Sequence, residues 1–264
     1  MRIAVVAPSN TVSPQIPGRV AALVAQRYGD DTPEIVFHPQ CFLSDGHFAG
    51  PDAARADALV EVANDPAVDA VWFARGGYGA NRIAGAAIAR MSDAARSKTF
   101  LGYSDGGFLL AGLLAGGIGK PVHAPMPSDI MRDGGEAAVL RTLDWLRDPV
   151  AAPAPQVAFN LTVLSNLLGT PLEPDLAGRV LMIEEVDEAM YRIDRSLFHV
   201  TSSTNIRRCA GLMLGRCAPI PVNTPDFSRD EETIARHWCD VAGIPWLGRA
   251  HIGHDAANTV VPFA

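Results

Sequence analysis

The chain has no clustered positive charge. Its formal net charge is −7 and its Lys and Arg residues are scattered along 264 residues, which argues against the concentrated cationic surface that nucleic acid or an anionic membrane requires. It also has no uninterrupted apolar run of membrane-spanning length. The opening Met1-Arg-Ile-Ala-Val-Val-Ala-Pro8 has too short an apolar stretch, and the wrong cleavage context, for a secretory signal. A cytoplasmic location is expected. Cysteine is sparse: Cys41, Cys209, Cys217 and Cys239 form no close metal-ligand pair and sit mostly in apolar surroundings, which reads as reduced core thiols and not as a zinc site. Repeats and low-complexity tracts are absent. What remains is an ordinary globular composition, able to bury one large core or two smaller ones and suited to small-molecule or peptide partners.

Short β-like and helix-like runs alternate through the first half. They are Arg2 to Ala7, Gly18 to Tyr28, Glu34 to Phe37, Asp52 to Asn64, Ala70 to Ala74, Ala80 to Arg90, Thr99 to Gly102, then a helix from Gly106 to Leu114. Such alternation predicts an α/β fold, a parallel sheet of the Rossmann or flavodoxin type, with ligands gathered at the carboxyl ends of the strands. The pattern breaks at Asp148-Pro-Val-Ala-Ala-Pro-Ala-Pro155, which reads as a linker. The expected division is a first domain over residues 1–150, a linker over 151–158 and a smaller α/β domain over 159–264. In the latter, a helix-like run Asn160 to Leu168, strand-like runs Arg179 to Ile183 and Ala210 to Leu214, a helix Arg229 to Val241 and a final strand Asn258 to Pro262 are expected.

Ser104 lies where the apolar run Thr99 to Gly102 gives way to a glycine-bearing helix. A sharp strand-to-helix turn pushes a side chain out of the sheet edge and aims helix N-terminal amides at whatever binds there, so this serine could attack a carbonyl. A plain reading competes: Ser104-Asp105 is an N-cap pair. Activating a serine needs a base held by a carboxylate. Among seven histidines, His254 occupies a glycine-bearing loop between strand-like runs, with His251 and His123 as other candidates; each also reads as a structural histidine. Acidic residues cluster at Glu184-Glu185-Val-Asp187-Glu188, where an apolar strand ends. Strand side chains alternate faces, so at most one of Glu184 and Glu185 can serve a given site. Arg75-Gly-Gly-Tyr-Gly79 could donate amides to an anion, but the Gly-Lys-Ser/Thr ending of a nucleotide loop is missing.

Taken together these motifs resemble the LD-carboxypeptidase family, serine peptidases that include murein tetrapeptide carboxypeptidases and microcin C immunity hydrolases. The similarity runs through Ile3 to Ser9, Phe48 to Arg55, Asn64 to Ala70, Arg75 to Gly79, Gly102-Tyr-Ser-Asp105, His123-Ala-Pro-Met126, Leu168-Gly-Thr170, Ile183-Glu-Glu-Val186, Tyr191-Arg-Ile-Asp-Arg195 and Gly253-His254. The resemblance implies a triad of Ser104 (nucleophile), His254 (general base and acid) and Glu184 (orienting carboxylate), formed where two domains close. It implies oxyanion donors at the backbone amides of Gly77 and Asp105, no cofactor or metal, a murein tetrapeptide substrate and a homodimer. Arg75, Arg82 and Arg195 are the cationic candidates for substrate carboxylates. Gly106-Gly107 stands where the family has an apolar residue and threonine, which implies a looser helix start. A hydrolase of peptidyl-nucleotide antibiotics, with Trp238 or Trp246 as a base-stacking platform, and a non-catalytic carboxylate-binding protein are the alternatives.

Overall fold

In the computed structural model, which describes residues 1–264, two mainly parallel sheets share an apolar interior. The first sheet uses β1 (Arg2–Val6), β2 (Glu34–Phe37), β3 (Ala70–Phe73), β4 (Thr99–Gly102) and β5 (Lys120–His123). Helices α1 (Ile16–Tyr28), α2 (Asp52–Asn64), α3 (Ala80–Ile88) and α4 (Gly107–Ala115) make the crossovers between them, and α5 (Gly135–Arg147) follows β5. The second sheet contains β6 (Gln156–Asn160), β7 (Val180–Glu185), β8 (Gly211–Cys217) and β9 (Trp246–Arg249). It is interleaved with α6 (Leu161–Leu167), α7 (Met190–Ser202) and α8 (Glu231–Ala242), and a last short strand, β10 (Val261–Pro262), ends the ordered elements.

Strand order in the first sheet is β10-β5-β4-β3-β1-β2, parallel except for β10. From β1 the chain goes to β2 on one side and to β3 on the other, so the order reverses between β1 and β3. Such a switch point opens a crevice at the carboxyl ends of the strands. The loops after β1, β3 and β4 all emerge there, which fixes where the site must lie.

Local sequence explains the elements. β3 (Ala-Val-Trp-Phe) is buried at every residue, as a central parallel strand covered on both faces must be. The helix α1 buries Ile16, Val20 and Val24, a single stripe at four-residue spacing. By contrast α4, Gly-Phe-Leu-Leu-Ala-Gly-Leu-Leu-Ala, is apolar all round and lies between the halves. A Cβ on Gly107 would come within 3.1 Å of Val163, and one on Gly112 within 2.8 Å of Leu172, both from the second half. Gly106 and Gly107 are buried, so instead of loosening the helix start they let a neighbouring layer approach closely. One contiguous cluster of 51 buried apolar residues runs from β3 and β4 through α4 and α6 into β7 and β8, and no solvent gap separates the sheets there.

Two sequence expectations need correction. The strand β6 begins at Gln156, inside the stretch read as linker; its pairing with β7 opens at the Pro155 carbonyl, which accepts from the Val180 amide at 2.8 Å. Five residues directly after a proline run carry too little periodicity to announce a strand. The final strand does not complete the second sheet. It is Val261–Pro262 and pairs antiparallel with β5, so the chain returns to the first sheet. Beside it Phe263 packs on Phe159 of β6 with ring centroids 5.2 Å apart. Phe263→Ala is expected to destabilise the protein by about 3 kcal/mol, the cost of truncating a buried aromatic, as measured by denaturant unfolding.

Candidate active site

Ser104 follows β4 in a left-handed conformation, φ 57°, which costs a side-chain-bearing residue about 1 kcal/mol or more and persists only where its surroundings enforce it. Tyr103 before it is extended, and a 3-10 turn Ser104–Gly106 leads into α4. This is the sharp turn the sequence suggested, and it makes room through glycine: a Cβ on Gly76 would lie 2.8 Å from Ser104 Oγ. Gly77 has φ 119°, and a Cβ there would meet Asn10, whose Oδ1 accepts from the Tyr78 amide at 3.2 Å. The Asp105 side chain faces inward, where it accepts from Ala80 N at 2.8 Å and from the Ser9 hydroxyl. Burial raises its pKa. Asp105 thus ties the loops after β1, β3 and β4 together beneath Ser104.

His254 Nε2 lies 3.0 Å from Ser104 Oγ, and His254 Nδ1 lies 2.5 Å from Glu184 Oε2. A carboxylate can only accept, so Nδ1 donates and Nε2 is left with a lone pair toward the serine hydroxyl. Glu184 is wholly buried at the end of β7, and Gly215 on β8 makes space for it, since a Cβ there would stand 3.0 Å from Glu184 Cβ. Glu185 turns to the opposite face, as strand alternation requires. It accepts from Asn160 Nδ2 and from the amide and hydroxyl of Thr162, closing the start of α6.

The His254 loop is anchored from both halves. Arg132 donates to the His254 carbonyl, and Arg141 on α5 to those of Ala256 and Asn258. His123 Nε2 pairs with Asn258 Oδ1 at 3.0 Å, and that oxygen also accepts from Gly253 N at 3.2 Å. From the second half, Arg216 forms a two-pronged ion pair with Asp255. The Tyr103 ring sits between two imidazoles, with centroids 5.4 Å from His123 and 4.9 Å from His254.

Two clefts meet at Ser104. The larger, 830 Å³, runs over Gly77, Arg82, Asp105, Asn160 and Glu188; the smaller, 490 Å³, is lined by Arg75, Met126, Arg132 and His254 among others. Of the three cationic candidates, Arg75 reaches the smaller cleft and Arg82 the larger, where it is paired with Asp52 at 2.8 Å. Arg195 lines neither; it is exposed on α7 and stacks on Tyr191. Trp238 and Trp246 also line neither. His251 is exposed, and its carbonyl accepts from the amide and hydroxyl of Thr259. No group of three or more His, Cys, Asp or Glu side chains converges as metal ligands would. Arg132, Asp129 and Asn258 escaped sequence reading. Only the nearness of Arg132 to His123-Ala-Pro-Met126 hinted at it.

Two outcomes are expected. Gly76→Ala, whose Cβ intrudes on Ser104 Oγ, slows labelling of Ser104 by a fluorophosphonate at least ~10-fold with little loss of stability, a displacement of the hydroxyl by about 1 Å being enough. Burial lowers the His123 pKa from 6.5 to about 4. The unfolded chain therefore takes up a proton at that position below about 6.5 that the folded chain refuses until about 4. The contribution of His123 to stability is complete above pH 6.5 and is lost as the pH falls toward 4. Between those limits wild type is expected to lose about 3 kcal/mol relative to His123→Asn, read from denaturant midpoints at stepped pH.

Comparison with known proteins fits this geometry. The chain is 32% identical over 238 residues to a protein of Bacillus subtilis named "probable murein peptide carboxypeptidase", covering 82% of this chain and 73% of that one. It is 26% identical to the murein tetrapeptide carboxypeptidase of Pseudomonas aeruginosa over 82% of this chain and 77% of the other. The muramoyltetrapeptide carboxypeptidase structure from Oxalobacter formigenes superposes with a TM-score of 0.82 at 25% identity, covering 98% and 92% of the two chains. The microcin C7 self-immunity protein MccF shares the fold, with a TM-score of 0.81 at 15% identity over 99% and 90%. Residues 3–123 match the model of the LD-carboxypeptidase N-terminal domain and residues 155–264 that of its C-terminal domain, in chain order. No helix is long and apolar enough to cross a membrane. With most of its length matched, the chain is an enzyme of the LD-carboxypeptidase family.

Proposed function

We propose that this enzyme is a serine carboxypeptidase that cleaves the L,D bond between meso-diaminopimelate and the terminal D-alanine of murein tetrapeptide, within peptidoglycan recycling. The observation that carries the reading is the continuous line from Ser104 Oγ through His254 to the buried Glu184, with separations of 3.0 and 2.5 Å. His254 takes the Ser104 proton as the hydroxyl attacks the scissile carbonyl, and Glu184 stabilises the imidazolium that forms. The Gly77 and Asp105 amides receive the carbonyl oxygen as it gains charge. His254 then protonates the departing D-alanine amine, and finally activates a water that hydrolyses the acyl-enzyme. In the larger cleft Glu188, which ion-pairs with Arg192 at 3.4 Å, offers its other carboxylate oxygen to the free ammonium group of diaminopimelate.

A nucleotide-conjugate hydrolase is less well supported, because neither Trp238 nor Trp246 faces a cleft that contains Ser104. A purely binding role leaves the serine, imidazole and carboxylate line unexplained. The reading includes a homodimer and a cytoplasmic location, the latter consistent with four free, buried thiols.

The test incubates the purified protein, with EDTA present, with L-Ala-D-Glu-meso-diaminopimelate-D-Ala and follows D-alanine release by mass spectrometry. Removing His254 would leave a buried unpaired carboxylate at a cost of about 3–5 kcal/mol, so conservative variants are preferable. Ser104→Ala and His254→Gln are expected to lower turnover about 10⁴-fold and Glu184→Gln at least ~10²-fold, each with native circular dichroism. Glu185→Ala is expected to lose about 1–3 kcal/mol of stability, through the groups it leaves unpaired at α6, with a far smaller change in rate. Wild-type turnover in the Ser104→Ala protein would overturn the assignment.

A further inference from the structure

Arg132 divides its guanidinium between two groups. Its Nε lies 3.3 Å from Oδ1 of the buried Asp129, its Nη1 donates to the His254 carbonyl, and the side chain remains 41% exposed along the smaller cleft. Asp129 is itself fixed, accepting from the Met126 amide at 2.7 Å and from the Tyr103 hydroxyl at 3.0 Å. Tyr103 immediately precedes Ser104, and its ring packs against His254. Ser104, Tyr103, Asp129, Arg132 and His254 therefore form a closed circuit, which holds the guanidinium at a set place relative to both nucleophile and base.

The two clefts are not equivalent. Both include Ser104, but only the smaller is lined by His254. The leaving amine takes its proton from His254, so the departing residue must lie on that side. The longer acyl part is then left to the larger cleft, 830 Å³ against 490 Å³. An enzyme that removes a terminal residue must recognise a free carboxylate one residue beyond the scissile bond, and the planar fork of a guanidinium matches that group. Two guanidinium side chains line the smaller cleft. Arg75 is exposed, its Nη1 donating to the Thr11 carbonyl at 3.2 Å, and nothing in the circuit fixes it.

We propose that Arg132 is the specificity-determining residue for the terminal carboxylate of the amino acid released, and that the same guanidinium positions His254 through its backbone carbonyl. The inference rests on the carboxypeptidase reading above. A substrate without that carboxylate forgoes the two-pronged pairing with the guanidinium, and sites built around a polar partner reject analogues that lack it.

The test compares the tetrapeptide ending in D-alanine with the same peptide ending in D-alaninamide, using kcat/KM of wild type, Arg132→Lys and Arg132→Ala. Wild type is expected to prefer the acid by ~10²-fold or more. In Arg132→Ala most of that preference is lost through a raised KM for the acid, and Arg132→Lys, which keeps the charge without the fork, falls between. Any loss of rate from a misplaced His254 affects both peptides and cancels in the ratio, so a merely structural role leaves the ratio unchanged. An Arg132→Ala ratio equal to that of wild type overturns this inference alone. A wild type that cleaves neither peptide overturns the carboxypeptidase reading and this inference with it.

Discussion

A carboxylate removed from water depends on whatever partner it finds, and Glu184 has no solvent exposure at all and no hydrogen bond to its Oε1. Its hydrogen-bonded partner is the His254 imidazole, so the strand that carries the carboxylate and the loop that carries the imidazole are mutually dependent. That dependence organises much of the second half of the chain. Gly215 clears the space, Arg216 holds Asp255 next to the histidine, and the unexposed Ile252 packs against Gly215. The charge-assisted bond is strong because both groups are shielded.

The path of the chain supplies the other half of the constraint. After β9 the backbone passes through Gly253 and His254 and then leaves the second sheet to lie against β5. The imidazole is consequently held at both ends of its loop, with the carbonyls of residues 254, 256 and 258 gripped by Arg132 and Arg141. His123 and Asn258 add a latch that keeps a neutral imidazole, rather than a positive charge, across the Tyr103 ring from His254. Ser104 rises from the first sheet and Glu184 from the second, and the His254 loop bridges them.

Legibility in the sequence followed sequence separation. Alternating β and α runs announced the first sheet because each element is local and periodic, and the apolar run before Ser104 located the turn. The opposition of Glu184 and Glu185 followed from strand alternation, but which face met an imidazole depended on packing between sheets. The Pro155 to Gln156 junction hid β6, and the short β10 was recognisable as a strand but not by its partner, which is 138 residues away in the pairing of Val261 with His123. Arg132 was invisible because its contact to His254 spans 122 residues and rests on a backbone carbonyl, which no residue type advertises. Arg195 shows the converse: a motif position suggested a role, and its helix turned the side chain away from both clefts.

The antiparallel return of β10 also sets an order of events during synthesis. Chains emerge from their amino ends and domains generally fold as they appear, so five strands of the first sheet and the Ser104 turn are made well before the strand that closes the sheet's edge. A nascent chain released early carries its serine with neither imidazole nor carboxylate beside it, and an open strand edge at β5. Truncated products therefore present an unpaired edge, the feature on which strand-to-strand aggregation acts.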